Sequence, residues 1–427
     1  MVLCYFYPPL AGGGVHRVLG FTRHLPKHGW QCTVVCAGAT DYWVRDESLL
    51  AQVPEGVEVI RVGGGSVLST WLGLTRGARG RRSSRTFAGL RNLSDWWLMP
   101  DSYAGWSRRA RAAAERRLAR GGIDALLSSS PPDSVHLAAR EVHRRSGVPW
   151  VADFRDPWIG LYFRDPPSAW HRARHAALER AVLEDADVVL TASRTHAEGI
   201  GSRSGGRPRR VIHLPNGFES GDAPIPAADS PEGGARDDEH FRLLYTGMLS
   251  MMPDAEVFLD ALHEMLAKRP EARRKLRARF VGPYESGYQD RSIALGLKGI
   301  VEFSGPLPHA ETRALQRAAD ALLLWKPRNF PTMVPGKLYE YLDSGRPVLA
   351  VLSEEDEAAS LVARAGGERI APGDRMALAA SLERRYLEWR SGAVRRTPRA
   401  EWLEEHTRAR LAARLADVLD GLAGGKR

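Results

Sequence analysis

Three short segments of the 427-residue chain carry side chains that can bind anions or move protons. In the first, Pro8-Pro9-Leu10-Ala11-Gly12-Gly13-Gly14-Val15, a strand-like run precedes the glycines and a helical pattern follows them. Bare backbone there can approach a ligand closely, and helix N–H groups point outward, which suits a diphosphate or a sugar hydroxyl. The spacing is not G-x-G-x-x-G, so a tight strand-to-helix turn without a ligand is an equal reading. In the second, Val334 to Leu342, Pro335 and Gly336 mark a helix start. Glu340, inside that helix at a sheet's carboxyl edge, can accept hydrogen bonds from ribose hydroxyls, and Lys337 can meet a phosphate. The competing reading is a Lys and a Glu on a solvated helix face. The third, Val151 to Trp158, ends a strand with Asp153, Arg155 and Asp156, acids and a guanidinium where open α/β sheets bind ligands. An internal Arg–Asp pair holding the loop is the alternative. Asp185-Ala186-Asp187 has the D-x-D form of a metal site, but at a helix-to-strand junction it reads as a cap and a turn, and no metal is expected.

These segments need elements to aim them, and strand-like runs alternate with helical periodicity from end to end, the mark of parallel sheets wound by βα units. The first half offers strands at 2–7, 32–38, 57–62, 124–129, 150–154, 187–193 and 210–214, with helices around 15–28, 103–120, 133–146 and 169–185. The second half offers strands at 241–247, 277–282, 300–305, 321–325, 347–352 and 368–370. Residues 220–240, rich in Pro, Gly, Ala and acids, read as a linker or insertion after a boundary near Pro215-Asn216-Gly217. A last helix, 402–422, carries one apolar stripe, Leu411, Leu415, Val418 and Leu422. The expected organisation is an N-terminal domain over 1–215 with a basic, aromatic insertion at about 64–106, a second domain over 216–398, and a helix over 399–427 returning toward the first.

A length prior of about 100 to 200 residues per domain agrees with two domains. Cys4, Cys32 and Cys36 lie in apolar runs that read as buried strands, which supports neither a disulfide framework nor a zinc site. No apolar run reaches the length of a membrane-spanning helix and the N-terminus lacks signal-peptide character, so a cytoplasmic protein is expected. The formal net charge is +10, and residues 71–120 hold 12 Arg against 3 acids, interleaved with Trp71, Trp96, Trp97 and Trp106. That stretch can dock on an anionic membrane, the inner face of the cytoplasmic membrane for a cytosolic protein, or its tryptophans can pack into the core while its arginines cover a helix. Nucleic-acid binding is disfavoured, because the basic residues cluster in one region with no recognised nucleic-acid motif.

Taken together the segments resemble family-4 glycosyltransferases. YFYPPLAGGGVHRVLGFTRHLPKHGW resembles that family's opening strand, glycine loop and first helix; LLSSSPPDSVHLAA and PWVADFRDPW resemble its middle N-domain segments. LERAVLEDADVVLTAS and HLPNGF resemble the interdomain crossing, FRLLYTGML the first donor-domain strand and its glycine, and PGKLYEYLDSGRPVLAV the second half of the E-x7-E region. The resemblance implies the GT-B architecture, two Rossmann-like α/β/α domains facing a central cleft, with the C-terminal helix packing back on the N-terminal domain. It implies transfer of a hexose-type sugar from a UDP- or GDP-sugar, with retention of anomeric configuration, to an acceptor such as a lipid-linked or cell-surface glycan precursor. Donor binding falls to Gly247, Lys326, Arg328, Pro335, Gly336, Lys337, Leu338 and Glu340; the catalytic region falls to Gly13, Gly14, Asp153, Arg155 and Asp156. No cofactor and no metal are implied, since the leaving diphosphate oxygen takes the acceptor proton. Thr332 stands where the first glutamate of E-x7-E is expected, Met248 to Met251 replace the usual basic pair, and the family's catalytic-region His falls at about Arg155. A sugar-nucleotide epimerase or hydrolase of the same architecture is the alternative.

Overall fold

The computed structural model describes residues 1–39, 44–64, 96–161, 164–203, 210–220, 239–250, 252–328, 330, 332–393 and 400–424. The strands are β1 (Val2–Cys4), β2 (Thr33–Ala37), β3 (Glu58–Val62), β4 (Leu126–Ser130), β5 (Trp150–Phe154), β6 (Val188–Thr191), β7 (Val211–His213), β8 (Phe241–Thr246), β9 (Leu276–Val281), β10 (Val301–Ser304), β11 (Ala321–Trp325), β12 (Val348–Val351) and β13 (Glu368–Ile370). The helices are α1 (Val15–His24), α2 (Ala104–Leu118), α3 (Ser134–Ser146), α4 (Ala169–Asp185), α5 (Arg194–Arg203), α6 (Pro253–Lys268), α7 (Ala272–Lys275), α8 (Ser286–Ala294), α9 (His309–Ala318), α10 (Gly336–Asp343), α11 (Glu357–Arg364), α12 (Arg375–Arg390) and α13 (Arg408–Gly424).

The chain divides into two compact units, Met1–Asn216 with Arg408–Arg427, and Gly217–Thr407. The first holds a parallel sheet in the order β3-β2-β1-β4-β5-β6-β7, the second one in the order β10-β9-β8-β11-β12-β13. Both are Rossmann windings: the chain runs outward from the first strand, then returns to its other side. The switch points lie between β1 and β4 and between β8 and β11, where open sheets of this kind bind ligands at their carboxyl ends. Central strands such as β2, β4, β5 and β11 are buried throughout, so they read as continuous apolar or small-residue runs rather than alternating ones. Cys4, Cys32 and Cys36 are free thiols inside the first sheet's core.

The expected final helix, 402–422, is corrected. Glu401–His406 is a 3-10 turn in the second unit, Thr407 is extended (φ −68°, ψ 143°), and α13 begins at Arg408. Thr407 pairs with Phe218, and its N–H bonds the Glu404 carbonyl, so tertiary pairing breaks a helix that periodicity alone would continue. Leu411, Leu415 and Val418 are buried on α13, which packs on α1 within the first unit. In the basic stretch, Trp106 is 1% exposed and its indole N–H bonds the Val62 carbonyl at 2.9 Å. Arg109 holds the carbonyls of Gly63 and Gly64, and Arg117 pairs with Glu58 at 2.6 Å. The α2 half of the stretch is therefore largely structural, whereas residues 65–95, including Trp71, Arg79, Arg81, Arg82 and Arg85, lie outside the described residues. So do 221–238, most of the expected linker.

Candidate functional site

In the second unit two glycines shape the carboxyl edge of the sheet. Gly247 (φ +119°) follows β8 and Gly282 (φ +134°) follows β9. A Cβ on Gly282 would lie 2.3 Å from the Gly247 carbonyl oxygen, so the two backbones meet at a distance that only glycine allows. Lys337, in the first turn of α10, reaches this corner. Its Nζ stands 3.7 Å from the centroid of the Tyr245 ring, and a Cβ on Gly247 would come within 3.2 Å of it. Tyr245 is backed by Trp325 (centroids 4.7 Å apart, rings 9° from parallel), and its hydroxyl donates to the Met248 carbonyl at 2.9 Å. The ring is therefore a fixed floor on which the ammonium rests. Among the described residues no carboxylate forms an ion pair with Lys337, and burial pushes its amine down to about 7. Desolvation disfavours an ammonium that no anion compensates, so this corner is receptive to negative charge.

Glu340 lies on α10 three residues after Lys337, and it is nearly buried. Its Oε1 is 3.0 Å from His309 Nε2, and its Oε2 accepts from Gln316 Nε2 at 3.3 Å. Gln316 also donates to Thr246 Oγ1 at 3.2 Å, and the Thr246 N–H donates to the Tyr341 hydroxyl at 2.8 Å. Arg313 completes the cage: it donates to the Glu340 carbonyl and to Gln316 Oε1, each at 2.8 Å, and pairs with Asp343 at 2.5 Å. A carboxylate has about four lone-pair positions, and these donors fix the rotamer in which Glu340 presents its own. His309, Arg313 and Gln316, at i, i+4 and i+7 of α9, share a face turned toward α10. That polar stripe was readable in the sequence and was missed.

The other proposed donor residues have different surroundings. Lys326 is buried, with Nζ 2.6 Å from Asp356 and 2.8 and 2.7 Å from the Phe330 and Met333 carbonyls, so it pins the loop before α10. Arg328 pairs with Asp254 at 2.5 Å, an acid that also accepts from the Gly373 N–H. Pro335 is the N-cap of α10, Gly336 opens the helix, and Leu338 is fully buried in the core.

In the first unit the glycine loop follows β1. Gly12 has φ +116°, Gly13 has open space where a Cβ would stand, and a Cβ on Gly14 would strike Arg155 Nη1 at 2.0 Å. Arg155, after β5, also pairs with Asp156 at 3.1 Å, so the glycine loop and the Arg155–Asp156 pair share one corner. Asp153 is elsewhere: it is wholly buried, Arg17 holds it at 2.7 and 2.9 Å, and Ser129 donates to it at 2.8 Å. Arg17 also donates to the Pro215 carbonyl at 2.7 Å, which ties α1, β5 and the end of the first unit together. Arg17 and Ser129 had no signal in sequence, since they lie far from Asp153 along the chain. Asp133, after β4, pairs with Arg164, and burial lifts its carboxyl to about 6. Asp185 pairs with Arg140 at 2.7 Å, an ion pair between helices rather than a cap, and Asp187 accepts the Trp150 N–H at 2.8 Å, a strand anchor.

Residues 12–217 match the family described as Glycosyl transferase 4-like domain, and residues 240–387 match Glycosyl transferases group 1. No curated protein sequence matches the chain. Among solved structures it is similar to sucrose-phosphate synthase from Thermosynechococcus elongatus, with TM-score 0.68 and 14% identity over 99% of each chain. It is also similar to HepE from Anabaena in complex with UDP and glucose (TM-score 0.64, 16% identity, 98% of this chain and 99% of that one). WaaG, a glycosyltransferase involved in lipopolysaccharide biosynthesis, gives 0.59 and 16% identity over 98% and 99%. With both windings in place and family matches over both units, the chain belongs to the family-4-like glycosyltransferases of the GT-B fold.

Proposed function

We propose that the protein transfers a hexose-type sugar from a UDP- or GDP-sugar, with retention of anomeric configuration, to a lipid-linked or cell-surface glycan precursor on the cytoplasmic side of the membrane. The observation that carries the donor assignment is the pairing, on one helix, of an ammonium with no counter-anion among the described residues and a carboxylate held by His309 and Gln316. Lys337 meets the diphosphate over Tyr245 and beside Gly247, and Glu340 accepts from the ribose hydroxyls. HepE, of the same fold, has been solved with UDP-glucose, which supports a uridine donor. Negative charge grows on the diphosphate as the glycosidic bond breaks, so a cation and backbone N–H groups there stabilise the transition state more than the ground state. The leaving diphosphate oxygen takes the acceptor proton, and the reaction so written requires no metal and no protein nucleophile. Gly13, Gly14, Arg155 and Asp156 line the acceptor side in this reading, while Asp153 holds Arg17 away from that corner.

A thermal-shift panel of UDP-, GDP-, ADP- and dTDP-sugars tests the donor, because a ligand at 100 times its dissociation constant stabilises by about 2.7 kcal/mol. One uridine or guanosine sugar should raise the melting temperature, and NMR of the product should show the donor's anomeric configuration. No shift with any donor would refute the reading, and nucleotide release that ignores added acceptor would point to a hydrolase instead.

A further inference from the structure

We propose that the exposed face at the start of α4, with the helical segment at Trp96 and Trp97, is a docking face for an anionic lipid bilayer, an interaction beyond the transfer reaction itself. Three tryptophans stand out of the first unit here: Trp97 is 83% exposed, Trp170 64% and Trp96 52%. Two of them are gathered by His171. Trp96 and Trp170 both meet its ring edge-on, at 5.2 and 4.8 Å between centroids. His171 is itself fixed, with Nδ1 2.8 Å from Ser168 Oγ and Nε2 3.4 Å from the Trp96 carbonyl. Ser168 caps α4 by accepting the His171 N–H, so the rings are mounted on a capped helix rather than on loose chain.

Burial of apolar surface does not explain these rings, because a soluble protein gains nothing by holding three indoles in water. The charge beside them gives the partner. On α4, Trp170, Arg174, Ala177 and Arg180 fall at i, i+4, i+7 and i+10, one face of the helix. These arginines are exposed, and among the described residues none has a carboxylate partner. Glu179 of the same helix is buried, Asp165 lies before the first turn, and Glu184, an exposed acid at i+14 on the same face, stands in the last turn beyond the arginines. Ala173 and Ala177 keep the face shallow between the arginines, so it can lie against a flat surface. Indole rings settle at the level of lipid headgroups, and guanidinium groups without a carboxylate meet lipid phosphates there, which is the composition of a helix that lies on a membrane without crossing it. No helix among the described residues is long and apolar enough to span one.

Co-sedimentation of the full chain with vesicles tests the face, using phosphatidylcholine alone and phosphatidylcholine mixed with phosphatidylglycerol. Wild type should pellet with the mixed vesicles, less so as salt rises, and stay in solution with the neutral ones. An arginine near an anionic surface is worth about fivefold in partitioning, so Arg174→Gln and Arg180→Gln together should lower it about 25-fold. Trp97→Ser with Trp170→Ser should also detach the protein. Both variants should keep the wild-type melting shift with sugar nucleotide, which separates loss of docking from failure of the donor reading. Equal pelleting of wild type and variants, failure of wild type to pellet with mixed vesicles, or capture by a single-stranded oligonucleotide but not by vesicles would overturn the proposal.

Discussion

Lys337 is costly to the fold and useful only with a ligand beside it. Its amine titrates in the folded chain at about 7, against 10.5 in the unfolded one. A group that binds its proton less well in the fold destabilises the fold as pH drops from 10.5 toward 7, so Lys337→Met should raise the melting temperature at pH 7. The same variant should lose about 1.5 to 3 kcal/mol of donor affinity, the usual worth of a hydrogen bond to a charged group. In wild type a diphosphate should draw a proton onto Lys337, and affinity should fall as pH rises through about 7. Calorimetry in two buffers of different ionisation enthalpy reads that uptake directly, and Lys337→Met should abolish it. Glu340→Ala should also cost about 1.5 to 3 kcal/mol of donor affinity. It should lower stability as well, since His309 and Gln316 lose a partner, and the opposite stability effects of the two variants can be read in one melting series. At this scale the sequence was half legible. Lys337 and Glu340 stood in one segment whose helix start was marked by Pro335 and Gly336. Asp153 looked equally functional, because Arg17, which encloses it, is invisible to any local reading.

Elements were far more legible than residues. The central strands of both halves were marked by apolar runs, because a strand covered on both faces must be apolar throughout, and βα alternation then leaves little choice of topology. What local pattern missed was Thr407, where pairing with Phe218 outweighs helix propensity. Glycines at strand and helix ends offer a sharper test of how elements set the site. Gly121, after α2, has φ +77° and open space at its Cβ position, whereas Gly282 has φ +134° and the Gly247 carbonyl in the way. Gly121→Ala should cost only the backbone strain, about 1 to 2 kcal/mol. Gly282→Ala should cost more, and by pushing Gly247 away from Lys337 it should also weaken the donor's melting shift. Thermal melts of the two variants with and without sugar nucleotide check both halves of this expectation.

Among the described residues the buried histidines all lie in the first unit, and they shape its response to acid. Burial holds His136 down to about 3 and His175 to about 4, from an ordinary 6.5. His136 is sealed between Ser128, which bonds its Nδ1 at 2.8 Å, and the face of Phe154; His175 accepts the Trp158 indole N–H at 3.0 Å. Below pH 6.5 the unfolded chain takes a proton at each histidine and the folded chain does not, so stability falls as pH falls toward 4. Asp133 acts oppositely: lifted from 3.8 to about 6, it binds its proton more readily in the fold and returns some stability between those values. A tenfold difference in proton affinity between the folded and unfolded chains is worth about 1.4 kcal/mol, so on going to about pH 5 the two histidines cost about 4 kcal/mol, Asp133 restores about 1, and the net loss is roughly 3 kcal/mol. The groups lie in one of two units, so heating should not follow a single two-state transition, and the acid-sensitive melting should be that of the unit built from residues 1–216 and α13. Scanning calorimetry at about pH 7 and about pH 5 should show one transition moving down while the other, which a bound sugar nucleotide raises, moves less. His136→Asn keeps polar contact with Ser128 but does not titrate, so it should flatten the pH dependence of the first transition by about two thirds. An unchanged slope would mean that His136 is charged in the folded chain.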